Sequence, residues 1–300
     1  MIFATAQLNG KTFIGIVTED GHIMDLQKAE KKLFEMETIP ADMTACIEQG
    51  EKLKNHVLQL QSWLNKSEET ESFIYPLKDV QLLAPIPRPN KNIYCVGKNY
   101  RDHAIEMGSE ADIPEYVMLF SKAPTSVIGP GEKIDPHLHI TNELDYEGEL
   151  AVIIGKKGKG IPEEEAMDYV FGYTVLNDVT ARNLQSRHKQ FLLGKSLDTS
   201  CPMGPYIVHK SAVEDPYSLK VETRVNGELR QSGETKDMIF SIEKVISVIS
   251  QGTTLEPGDV IATGTPSGVG KGFNPPKFLQ SGDEIEIVIE GVGTLKNQVK

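Results

Sequence analysis

Residues 145–155 read DYEGELAVIIG, and residues 170–178 read VFGYTVLND. Leu150–Ile154 is an unbroken apolar run of strand length, closed by Gly155. In a strand, side chains at i and i+2 share a face, so Glu147 and Glu149 project together with Gly148 between them. The head of a buried strand calls for apolar residues. Two carboxylates there repel and lose hydration unless a cation compensates them. The second run also reads as a strand, and Asp178 at its end is placed to add a third oxygen from an adjacent strand. Three carboxylates without an accompanying Cys or His suit a hard divalent ion, Mg²⁺ or Mn²⁺, that keeps open positions for water or substrate. Acidic residues at this spacing also mark the wet face of an edge strand. Spacing alone leaves the two readings level, and the other motifs tip the balance.

Outward from this pair, the chain from about residue 90 is rich in strands. Leu219–Asn226 and Glu228–Ser232 flank Asn226-Gly227, a two-residue hairpin signal. Asp237–Ser250 reads as an amphipathic helix with Asp237 as N-cap and Gly252 at its exit. Asp259–Thr263 and Glu284–Ile289 are further strands, each with a Gly-Asp turn at its start. Many strands and few helices, without βαβ alternation, predict a mixed, β-rich α+β roll or barrel. The first 80 or so residues predict strands over 2–8, 12–18 and 22–25 and helices over 27–36 and 50–65. The Pro-rich stretch 83–89 is an extended connector. The expected division is a small α/β domain, residues 1–82, and a catalytic domain, residues 83–300.

Composition narrows the class. A net charge of −12 argues against nucleic-acid binding, which needs a basic face, but not against an anionic substrate recruited by a bound dication. No stretch approaches the ~20 apolar residues of a membrane span, and the N-terminus lacks a signal-peptide pattern. Cys46, Cys95 and Cys201 match no zinc spacing and are read as reduced, buried thiols of a cytoplasmic protein.

Further motifs carry chemistry. GKNYRDHAIE (97–106) leaves a short apolar strand. If residues 101–107 are helical, His103 and Glu106 share a face, and the carboxylate would make the imidazole a competent general base. An exposed helical turn with an incidental His–Glu pair is the plainer alternative. Residues 107–116 are polar and irregular, as a mobile lid would be. Arg182 and Gln185, at helical spacing from Asp178, are candidates to bind a ligand on the metal. Lys195 is a candidate to stabilise a developing enolate or bind a carboxylate, and a surface charge is the alternative for each of the three. The glycine-dense loop 263–270 could cradle a substrate carboxylate through backbone N–H groups and Thr265, and is no P-loop. His137 and His139, predicted on one strand face, are set aside as metal ligands for want of a third partner.

Taken together, GKNYRDHAIE, DYEGEL, GYTVLNDVTARNLQ, GKSLDTSCPMGP, RVNGELRQ and IATGTPSGVG resemble, in order and approximate spacing, the fumarylacetoacetate hydrolase family over residues ~90–298. The resemblance implies a β-sandwich roll, usually a homodimer. It implies Glu147, Glu149 and Asp178 as Mg²⁺ or Mn²⁺ ligands, and His103 with Glu106 as a dyad carried on a lid. Lys195 and Gln185 fall where the family places substrate- and water-orienting groups, and Thr265 on its substrate-contacting loop. Lys98 departs from the family, many members having Arg there, and lacks arginine's planar bidentate contact. Members cleave C–C bonds in acylpyruvates, decarboxylate oxaloacetate and related 2-oxo acids, or isomerise catechol-pathway products. The expectation ranks decarboxylation of oxaloacetate, a small 2-oxo dicarboxylate, to pyruvate and CO₂ first and acylpyruvate hydrolysis second. A non-catalytic scaffold on the same fold is the reading from a different class.

Overall fold

The computed structural model describes residues 1–64 and 72–300. Three sheets and few helices make it a mixed, strand-rich α+β fold. The largest sheet runs in the order Ile2–Leu8, Cys201–His209, Val170–Asn177, Gly148–Ile154, Val260–Ala262, Ile93–Gly97, Met118–Lys122 along its centre and one end. Strands Gly148–Ile154 and Val170–Asn177 are buried at every residue, which is why their sequences are mainly apolar and do not alternate. A five-stranded sheet built on the hairpin Lys220–Val225/Glu228–Glu234 and the strands Glu284–Ile289 and Gly293–Val299 covers one side. Val152, Val175, Ile285, Ile287 and Leu295 meet in the core between the two sheets.

The antiparallel register sets the site. Gly148 faces Asn177 and Glu149 faces Leu176. Asp178 therefore lies beside Glu147, and its N–H donates to the Glu147 carbonyl at 2.9 Å.

The leading strands form as the sequence predicts, at Ile2–Leu8, Lys11–Val17 and His22–Asp25. They extend the large sheet through Ile2↔Val208 and Phe3↔Ile207. Phe3, Ile14, Leu53 and Leu60 share a core with Ile93, Ala151, Phe171 and Ile207. Residues 1–82 thus share both a sheet and a core with the rest of the chain.

Helices form at Leu26–Phe34, capped by Asp25, and at Glu51–Leu64; residue 65, expected to end the second, lies outside the described residues. A short helix at Met43–Glu48, capped by Asp42, was not predicted. Its six residues are too few for a period to show. The helix expected from Asp237 begins at Ile242 with Ser241 as its cap. Only from Ile242 does the apolar period run, through Val245, Ile246 and Ile249, and Thr235–Asp237 forms a separate 3₁₀ turn. His137 and His139 are not on a strand; His137 turns the chain at φ 49°. Among the described residues no helix is long and apolar enough to cross a membrane.

Candidate active site

Glu147, Glu149 and Asp178 converge, each buried, with one carboxylate oxygen apiece lying within 4.8 Å of the others. The donor set is all oxygen, as a hard divalent ion requires.

Three buried cations surround the trio. Lys195 Nζ donates to Glu147 Oε2 at 2.7 Å and Asp178 Oδ2 at 2.6 Å. Lys122 Nζ donates to Asp178 Oδ1 at 2.7 Å. Arg182 reaches Glu147 Oε1 through Nη1 at 2.7 Å and Asp145 Oδ2 through Nε at 2.8 Å. Counting Asp145, four buried carboxylates face three buried cations, and the deficit falls on Glu149. Its one hydrogen bond comes from the Gly264 N–H at 2.8 Å. Burial, then the like charges of Asp178 and Glu147, push the Glu149 carboxyl well above the usual range. Burial also opposes ionisation of Glu147, but Lys195 and Arg182 outweigh it and hold that carboxyl well below the ordinary value. Burial lowers the Lys195 pKa while Asp178 and Glu147 raise it further, so the net shift is upward and favours the ammonium. A buried cluster one positive charge short of balance fits a dication followed by a substrate carboxylate.

Glu147 and Glu149 line a cavity of about 60 Å³ with His103, Arg182, Gln185, Lys195, Thr265, Phe120 and Phe191, and Asp178 stands behind it on Lys195. The helix Arg101–Glu106 forms as expected and sets His103 Nδ1 3.3 Å from Glu106 Oε2. With Nδ1–H directed at that carboxylate, Nε2 is the basic nitrogen. Glu106 is itself held by the Gly268 N–H at 2.9 Å. A Cβ at Gly272 would collide with Glu106 Oε1, so the loop packs on this carboxylate only as glycine. The segment read as a lid is tied down by Lys98–Asp112 and Arg101–Glu110 ion pairs and a Ser109–Asp112 capping box.

The structure sets the predicted site residues on this one cavity or, for Asp178 and Glu106, against the Lys195 and His103 that line it, with two changes of reason. Arg182 and Gln185 do not continue a helix from Asp178. Thr180–Ala181 is a short strand, and the helix starts at Arg182. The N–H groups of the glycine loop, expected to cradle a substrate carboxylate, are directed at protein carboxylates: Gly264 at Glu149, Gly268 at Glu106, Gly270 and Lys271 at Asp145. The Thr265 hydroxyl donates to the Gly148 carbonyl at 3.0 Å and accepts from Gln231 at 2.7 Å. Sequence reasoning missed Lys122 and any role for Asp145. The signal for Lys122 was a lysine closing the strand Met118–Lys122.

Residues 92–300 match the family described as fumarylacetoacetate (FAA) hydrolase C-terminal. The chain is 62% identical over 300 residues, all of both proteins, to oxaloacetate tautomerase YisK of Bacillus subtilis (strain 168). Among solved structures it is similar to a fumarylacetoacetate hydrolase from psychrophilic Exiguobacterium antarcticum, at TM-score 0.82 and 44% identity, covering 100% of this chain and 99% of that one. It is also similar to maleylpyruvate hydrolase from Sphingobium sp. SYK-6 in complex with manganese(II) ion and pyruvate, at TM-score 0.78 and 31% identity, covering 100% and 98%.

Proposed function

The chain belongs to the fumarylacetoacetate hydrolase family, and from that premise we propose that it is a divalent-metal-dependent enzyme interconverting the keto and enol forms of oxaloacetate. The observation that carries this is one cavity lined by His103, Glu147 and Glu149, with Glu106 set against His103 and Asp178 completing a carboxylate trio short of positive charge. The name of the 62%-identical Bacillus protein supports the same substrate and reaction.

In this reading Glu147, Glu149 and Asp178 hold Mg²⁺ or Mn²⁺, which when bound supplies Lewis-acid stabilisation of charge at the 2-oxo oxygen. Arg182 and Gln185 bind and orient the substrate carboxylates. His103 Nε2 takes the proton from C3, and Glu106 stabilises the imidazolium that results. Lys195, held as an ammonium, donates to the oxygen on which charge collects. Transfer of that same proton from the His103 imidazolium to the oxygen gives the enol and restores the neutral imidazole, and its return to C3 gives the ketone. Phe120 and Phe191, in edge contact at 5.5 Å, help keep water from the enolate.

The second reading is carbon–carbon cleavage releasing pyruvate: decarboxylation of oxaloacetate first, acylpyruvate hydrolysis next. It is favoured by the likeness to a manganese- and pyruvate-bound hydrolase. Decarboxylation would reuse the enolate stabilisation without the dyad, whereas hydrolysis would need His103 to activate water. A homodimer is part of the proposal, supported by exposed Tyr116, Leu119, Leu192 and Leu193 beside cavity-lining Phe120 and Phe191.

The test follows enol absorbance and coupled pyruvate release on oxaloacetate, with Mn²⁺, with EDTA and with Glu149→Gln. Metal-dependent keto–enol exchange without matching pyruvate supports the proposal. Pyruvate appearing as fast as substrate is consumed moves the assignment to cleavage, and turnover of neither kind defeats both readings.

A further inference from the structure

Asp145 takes no part in the chemistry just described and does not line the cavity, yet its carboxylate collects four donors. Oδ1 accepts from Tyr146 N–H at 2.9 Å and Gly270 N–H at 2.6 Å. Oδ2 accepts from Arg182 Nε at 2.8 Å and Lys271 N–H at 3.0 Å. It is fully buried. A carboxylate with every lone-pair direction used is held in one orientation, and so are its partners.

Two arms leave it. One runs through the glycine loop: the amides of Gly270 and Lys271 fix the loop to Asp145, and two residues earlier Gly268 N–H holds Glu106 Oε1 at 2.9 Å. Glu106 in turn faces His103. A Cβ at Gly270 would collide with Asp145 Oδ1 and the Lys277 carbonyl, so the amide reaches the carboxylate only because the residue is glycine. Tyr146, next in the chain, donates its hydroxyl to the Gly268 carbonyl at 2.9 Å and clasps the same loop. The other arm is Arg182, whose Nε is spent on Asp145 while Nη1 reaches Glu147 Oε1 at 2.7 Å. Without Asp145 the whole guanidinium charge would fall on Glu147.

We propose that Asp145 is the positioning residue that sets the proton-moving dyad and the carboxylate trio in register, orienting Glu106 through the glycine loop and sharing the charge of Arg182 with Glu147. The inference rests on the proposed function for its kinetic arm only. Its metal arm is independent of which reaction the site runs.

The test uses full-length Asp145→Asn and Gly270→Ala, with Mn²⁺ affinity measured by electron paramagnetic resonance alongside oxaloacetate turnover. Outer-shell changes of this kind cost about 10- to 100-fold in affinity or activity. Asp145→Asn should lose about 10-fold in Mn²⁺ affinity and, at saturating Mn²⁺, about 100-fold in kcat with little change in KM. Gly270→Ala, which keeps Asp145 and Arg182, should lower kcat and leave Mn²⁺ affinity unchanged. In a Glu106→Gln background Gly270→Ala should lower kcat no further, because the loop arm acts through Glu106. If Asp145→Asn lowers only the melting temperature, with wild-type kcat and Mn²⁺ affinity in the folded protein, Asp145 is a structural anchor and the proposal falls. Losses that multiply in the double variant overturn it too. Should the wild type turn over no oxaloacetate, a 10-fold drop in Mn²⁺ affinity for Asp145→Asn still upholds the metal arm, and the loss belongs to the functional reading.

Discussion

Two glutamates are buried in this molecule on very different terms. Glu30, on the helix Leu26–Phe34, accepts the N–H groups of Thr38 at 2.8 Å and Ile39 at 2.9 Å and the Thr38 hydroxyl. Glu149, at the head of an apolar strand, accepts a single N–H and has two carboxylates for neighbours. Local hydrogen bonds have satisfied the first, which staples the segment after its helix. The second is left wanting charge that the chain's own lysines spend on Glu147 and Asp178. Burial alone does not separate structure from function; the completeness of the partners does.

The comparison breaks most visibly through Glu149→Gln. It should abolish metal-dependent turnover and the thermal stabilisation that Mn²⁺ confers, about 2.7 kcal/mol at 100 Kd. A variant that still gains stability from Mn²⁺ would remove Glu149 from the ligand set. His103→Ala separates holding charge from moving protons: keto–enol exchange should fall about 100- to 10,000-fold while Mn²⁺ affinity stays unchanged. Equal loss of both would deny the dyad a separate role. Glu30→Gln is the converse variant, expected to cost about 1–3 kcal/mol of stability from unsatisfied donors with kcat of the folded protein unaltered; a kinetic defect would show the staple reaching the site.

A further effect is in pH. A carboxyl raised in the folded state binds more protons there than when unfolded, so metal-free stability should decline as pH rises above about 4.5, the ordinary value for Glu149. Glu149→Gln should flatten that decline. His209 supplies the opposite slope. Burial lowers its pKa from 6.5 to about 4, so the unfolded chain binds more protons in that window and stability is lost as pH falls from 6.5 toward 4. Chemical denaturation of wild type, Glu149→Gln and His209→Gln between pH 4 and 8 reads both slopes.

Much of this was legible in the sequence where a local rule decides the outcome. The spacing brought Glu147 and Glu149 together although Glu147 lies one residue before the strand Gly148–Ile154, strand ends put Asp178 beside them, and i,i+3 spacing put His103 on Glu106. What stayed hidden depends on long-range pairing. Nothing local tells Lys122 that Asp178 will lie 2.7 Å away, or tells the loop amides that they will meet Asp145 and Glu106 in place of a substrate. The start of the helix at Ile242 was missed because Asp237 is as good a cap by type as Ser241, and only the packing of Ile242 and Val245 chooses between them.

The two-residue seam between Ile2–Phe3 and Ile207–Val208 has a consequence for how the protein can be cut. A chain opened at the Pro-rich connector would leave the strand Cys201–His209 with a bare edge and expose Phe171, Ile207 and Ala151, now covered by Phe3 and its neighbours. Bare apolar edges recruit other chains. On these contacts the first eighty residues act as a sealing strip, and a fragment lacking them is expected to aggregate with its cavity residues still all present, a result that light scattering of the fragment would check.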